Sequence, residues 1–115
     1  MSERNPQLLL EDILEALNAV LEYTSGYNYD LFLKDRKTRD AVLRNIQIIG
    51  EAANRIPKNI KEQYSEIDWQ RIIKSRHIIV HDYAGVDYEI VWRIIEVHLP
   101  SLRIDIQTVL NKLNY

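Results

Sequence analysis

Apolar residues recur along this chain at steps of three and four, the spacing of one face of an α-helix. Leu10, Ile13, Leu14, Leu17, Val20 and Leu21 predict a first helix, beginning near Asn5-Pro6 with Asn as cap and Pro in the first turn. Gly26 places a loop at Thr24 to Asn28. Val42, Ile46, Ile49, Ala53 and Ile56 predict a second helix from about Asp35 to Arg55, ended by Pro57. Gly50 inside it costs roughly 1 kcal/mol relative to alanine, which points to a close contact with another helix. A short helical turn is expected at Asn59 to Tyr64.

Asp68 is the expected cap of a third long segment, with Trp69, Ile72, Ile73 and Val80 on one face and Gly85 breaking the chain after Tyr83. Asp87 then caps a helix whose Ile90, Val91, Ile94 and Ile95 are expected to face inward. Pro100 kinks that helix or opens a last segment carrying Leu102, Ile106, Val109, Leu110 and Leu113. No strand-like alternation is evident. The pattern predicts an all-α fold, an antiparallel bundle of four or five helices, as one domain over residues 1–115.

Composition narrows the function. There is no cysteine, so disulfides and thiolate zinc sites are excluded and a reducing, cytoplasmic setting fits. No apolar run approaches a membrane span, and the N-terminus lacks the layout of a signal peptide. A net charge of −2 supplies no global positive field for nucleic acid, so an RNA ligand would need a local site. Seven tyrosines and two tryptophans in so short a chain suit an interface as well as a core, and an oligomer is expected.

The chemistry concentrates in Ser75-Arg76-His77-Ile78-Ile79-Val80-His81-Asp82-Tyr83, which holds two of the three histidines. On a helical wheel Arg76 falls within the apolar stripe, while His77 and His81 share an edge. A buried arginine is costly unless it is paired or faces a cavity or a partner, and Glu51 or Asp40 is the candidate ion-pair partner. Two readings of the histidines stand beside each other: ordinary surface residues, or a two-histidine metal site, for which no further His or Cys ligand is obvious. Arg36, Asp40, Arg44, Gln47, Glu51 and Arg55 fall on another face of the second helix at steps of three and four, and the basic run Arg36, Lys37, Arg39 and Arg44 reads as a solvated helix face, with RNA binding the sharper alternative.

Arg76-His77-x-x-x-His81-x-Tyr83 resembles the signature of the HEPN superfamily, and its extension to Tyr83 resembles the HepT-like toxin branch. Ile49-Gly50-Glu51-Ala52-Ala53, Trp69, Asp82-Tyr83-Ala84-Gly85-Val86-Asp87, Val91-Trp92 and Leu99-Pro100-Ser101-Leu102 extend the likeness over nearly the whole chain. His77 departs from the asparagine common at that position in the branch. The resemblance implies a homodimeric, metal-independent endoribonuclease with no cofactor, the toxin of a type VII-like toxin–antitoxin pair. Arg76 and His81 would be catalytic and His77 supporting, and cleavage would leave a 2′,3′-cyclic phosphate. Its partner would be an MNT-type minimal nucleotidyltransferase antitoxin that AMPylates Tyr83. The ideal directions of Arg76 and His81 lie about 140° apart on one helix, which favours a cleft completed by a second copy. The competing reading is a non-catalytic helical module that binds a nucleotide or docks a nucleotidyltransferase. A third is metal-dependent hydrolysis through His77 and His81.

Overall fold

The computed structural model describes residues 5–77 and 85–113, and the described residues are helical with short connections. Helix α1 spans Pro6–Tyr23, and the Gln7 N–H donates to Asn5 Oδ1 at 2.8 Å, so the expected cap and the proline in the first turn are both in place. Its buried face is Leu9, Leu10, Ile13, Ala16, Leu17 and Val20. Thr24 closes the helix by donating its hydroxyl to the Val20 carbonyl, and Gly26 turns the chain at φ 79°, where a side chain would be strained.

Helix α2, Tyr29–Lys34, was not expected from the pattern. Asn28 caps it by accepting from the Leu31 N–H, and its Phe32 is fully buried. Helix α3 covers Arg36–Arg55. Asp35 is its cap: Oδ1 accepts from the Thr38 N–H, while Oδ2 accepts from the Thr38 hydroxyl at 2.7 Å and the Tyr27 hydroxyl at 2.6 Å. Ile56 is extended, as a residue before proline must be, and α3 ends there. Helix α4 (Lys58–Gln63) is the expected short turn, and α5 (Trp69–Ser75) starts at Asp68, which accepts from the Arg71 N–H.

Asp87 caps α6 (Tyr88–Arg93), which runs through a π-helical turn at Ile94–His98 into α7 (Leu99–Leu113). The wide turn has a local cause. Pro100 has no N–H to give to the Glu96 carbonyl, and its ring would strike that carbonyl in an ordinary α-turn. The ladder widens just before it, and the Leu99 N–H donates to the Ile94 carbonyl five residues back. Val91, Ile95, Leu99, Leu102, Ile106 and Val109 then share the buried stripe. Ile90, expected to face inward, is 46% exposed, because Val91 and Ile95 take the inward positions and Ile90 lies about 100° around the helix from Val91.

Helix α1 packs against α3 on one side and α7 on the other, and α5 lies on α3. The result is an all-α bundle around one hydrophobic cluster to which every helix contributes. Phe32 anchors the α2 side with ring centroids 5.2 Å from Trp92 and 6.0 Å from Tyr88. Arg39 lies 5.1 Å over the Tyr88 ring, so one member of the basic run on α3 is a packing residue. No helix among the described residues is long and apolar enough to cross a membrane.

Candidate active site

The arginine of the motif follows directly on α5. That helix is seven residues long, held at its start by Asp68 and at its end by the Ser75 hydroxyl, which donates to the Ile72 carbonyl at 2.6 Å. Arg76 keeps helical dihedrals (φ −62°, ψ −25°), and His77 behind it is exposed. Val80, His81, Asp82 and Tyr83 lie outside the described residues, so the continuation of the expected helix and the placing of His81 and Tyr83 do too.

What α3 offers to Arg76 explains the glycine in its interior. A Cβ built on Gly50 would stand 2.8 Å from Arg76 Cβ and 3.3 Å from both Arg76 N and the Ile72 carbonyl oxygen. Gly50 therefore lets the backbone at the end of α5 settle directly on α3. The next residue, Glu51, reaches across with Oε1 at 3.4 Å from Arg76 Nη1. Of the two partners open to Arg76, Glu51 is the one used, and Asp40 pairs instead with Arg36 at 3.8 Å. The Arg76 side chain is 21% exposed and that of Glu51 50% exposed, so the stem is packed while the charged head lies at the surface. A guanidinium carries five N–H donors, and the Glu51 contact engages one nitrogen. Such a group is fixed in place yet retains donors for an incoming anion.

Two grooves flank this point. The smaller, about 280 Å³, is lined by Asp12 of α1 and by Arg44, Gln47, Glu51 and Arg55 of α3 over an apolar floor that includes Leu9, Ile48 and Ala52. The larger, about 700 Å³, opens between α5, the π turn and α7, with Ile72, Ile94, Leu99 and Leu102 in its walls. Arg71 Nη1 lies 3.3 Å from His98 Nδ1 there, and Arg71 Nε lies 3.5 Å from Asp68. Arginine only donates, so Nδ1 accepts and the imidazole facing it is neutral. Burial, then the charges of Arg71 and Arg93, push the His98 pKa below its ordinary value, against the smaller opposing pull of Asp68. This contact joins residues 27 apart in sequence, and no local pattern announces it. Among the described residues, no group of three or more His, Asp and Glu side chains is placed to hold a metal ion.

An all-helical bundle with an arginine braced on a glycine and a glutamate fits the family to which comparison leads. The family model for ribonuclease HepT-like proteins matches residues 13–109. The chain is 38% identical over 101 residues to the "Probable ribonuclease HepT" of Thermococcus cleftensis, covering 88% of this chain and 92% of that one. It is 34% identical over 109 residues to "Putative RNase MJ1380" of Methanocaldococcus jannaschii, covering 95% of this chain and all of the relative. A third relative, "Putative RNase TTE0752" of Caldanaerobacter subterraneus subsp. tengcongensis, is 33% identical over 109 residues, or 95% of this chain and 97% of its own length. No solved structure gives a significant match. The chain belongs to the HepT-like ribonuclease family of the HEPN superfamily.

Proposed function

We propose that this chain is a metal-independent endoribonuclease, the toxin of a type VII-like toxin–antitoxin pair acting in the cytoplasm. The observation that carries the reading is the bracing of Arg76, whose Cβ and backbone pack on Gly50 and whose guanidinium lies 3.4 Å from Glu51. Ribonuclease names among relatives that align over most of their length support it.

RNA brings its own nucleophile. The 2′-hydroxyl gives up its proton and its oxygen bonds to the neighbouring phosphorus. The bond from phosphorus to the 5′-oxygen breaks, and that oxygen takes a proton. The products are a 2′,3′-cyclic phosphate and a 5′-hydroxyl. Arg76 holds the non-bridging oxygens, whose charge grows in the transition state, at no reorganisation cost because its stem is already packed. His81 carries protons, since imidazole titrates near neutral pH, and His77 supports it by orienting RNA. A second copy completes the cleft, and the exposed Ile90, Val97 and Ile104 of the helical run after Gly85 are suited to contacts between copies. An MNT-type nucleotidyltransferase is the antitoxin. It transfers AMP from ATP to the Tyr83 hydroxyl with release of pyrophosphate, and the added bulk and negative charge block the phosphate site.

The test is cleavage of RNA by the purified chain. Arg76→Ala and His81→Ala should each lower the rate on the order of a hundredfold or more while the fold persists. Undiminished cleavage by His81→Ala rejects its role. A monomer with full activity sinks the shared cleft. An unmodified Tyr83 after incubation with the nucleotidyltransferase and ATP removes the proposed off switch.

A further inference from the structure

The basic residues of α3 do not all serve one purpose. Arg36 is paired with Asp40, and Arg39 is spent over the Tyr88 ring. Arg44 and Arg55 are exposed, and neither has an ion-pair partner among the described residues. Both line the 280 Å³ groove, with Gln47 and Glu51 of the same helix between them. Glu51 is also the residue that touches Arg76. The groove and the braced arginine are therefore continuous through one side chain.

We infer that this groove is a track for the RNA strand flanking the bond to be cut, with Arg44 and Arg55 binding its phosphates and Gln47 bonding its sugar or base edges. The inference rests on the ribonuclease reading and names where that substrate lies. Positions 44, 47, 51 and 55 follow steps of three and four on one helix face, so they form a row. From Arg44 to Arg55 the row covers about 16 Å of helix axis, longer than a single nucleotide step. The pairing of charges also favours an anion: Glu51 is the acid that faces Arg76, while Arg44 and Arg55 keep their charges for a ligand. With a net charge of −2 over the whole chain, such a local row is how RNA can be gathered without a basic surface elsewhere.

The experiment compares wild type with Arg44→Ala, Arg55→Ala and the double variant, using Arg103→Ala at an exposed position of α7 as a control that loses the same charge elsewhere. Binding is read by fluorescence anisotropy with a short, labelled 2′-O-methyl RNA of mixed sequence, which cannot be cut because its nucleophile is blocked. Cleavage is read as kcat and KM on the matching unmodified RNA. Each groove variant should weaken binding and raise KM on the order of three- to tenfold, hold kcat within about twofold, and flatten the salt dependence by about 0.7 log unit per lost contact. Arg103→Ala should match wild type. If wild type cuts RNA while the groove variants keep its KM and salt slope, or if Arg103→Ala loses as much as they do, the track is overturned and the ribonuclease reading stands. If wild type neither binds nor cuts RNA, both fall.

Discussion

Gly50 and Arg76 occupy adjoining space: a single added carbon on the glycine would lie 2.8 Å from the β-carbon of the arginine. The neighbours on that side are Cβ and backbone atoms, which cannot swing away as the tip of a long side chain can. Alanine at position 50 gains about 1 kcal/mol of helix propensity but forces α5 off α3, a form of overpacking that costs about 1–3 kcal/mol. Gly50→Ala should therefore change stability by no more than about 2 kcal/mol, while Arg76 is displaced from its place. Thermal melting together with RNA cleavage checks this: the melt should hold or fall modestly and the cleavage rate should drop by at least tenfold. A Gly50→Ala protein with wild-type cleavage would show that the close approach does not position Arg76.

Glu51 separates positioning from folding more cleanly. Its carboxylate is half exposed, so its pair with Arg76 contributes about 0–1 kcal/mol to stability. Glu51→Gln keeps the size and removes the charge. We expect a melting temperature close to wild type and a several-fold fall in kcat, because Arg76 is left less restrained. Urea titration beside single-turnover cleavage measures both, and an unchanged kcat would assign Glu51 a surface role only.

Acid should weaken the fold at the start of α3. Hydrogen bonds from Tyr27 and then Thr38 hold the Asp35 carboxyl at about 2, below its ordinary 3.8. A depressed carboxylate stabilises the folded state above its ordinary pKa, and that contribution is lost as pH falls from there through the folded value. Wild-type melting temperature should fall across about pH 4 to pH 2. Asp35→Asn, which keeps a capping side chain without the charge, should start lower and change less over that interval. Parallel slopes for the two proteins would place the acid sensitivity elsewhere.

His98 adds a separate response nearer neutrality. Its pKa is lowered by burial and by Arg71 and Arg93, so the folded chain binds less proton than the unfolded one just below about pH 6.5. Stability from this residue is present above that pH and is lost as pH falls toward the lower folded value. Melting measured at about pH 7.5 and pH 5.5 should show a drop that His98→Gln reduces, since glutamine accepts from Arg71 without titrating. An equal drop in both proteins would reject the assignment.

Much of this fold is legible in local chemistry. Asn5, Asp68 and Asp87 each cap the helix expected of them, because a short polar side chain before an apolar period answers to its own neighbours alone, and Asp35, where the second helix was expected to begin, is its cap. Gly50 was readable as a close contact, since nothing local justifies glycine inside α3. Its partner was not, because that depends on which helix arrives. Helix α2, at six residues, is too short to show a period, and Asn28 ahead of Phe32 is the one local sign of it. Ile90 satisfies the inward pattern as well as its neighbour Val91 does, and only packing decides between them. At the site, Arg76 and its Glu51 partner were both in view from the sequence. The contact of Arg71 with His98 was not, because it is made only when α5 meets the π turn.

The π turn at Ile94–His98 has one more implication. A helix that widens for a few residues breaks the run of identical hydrogen bonds, so amides on its two sides need not open together. Hydrogen exchange would then see α6 and α7 as separate cooperative units within an unbroken stretch of helical chain. Arg71 of α5 fastens to His98 within that seam, beside one side chain of a joint rather than the middle of a rod. The helix that leads into Arg76 is thus tied to the turn that joins α6 to α7.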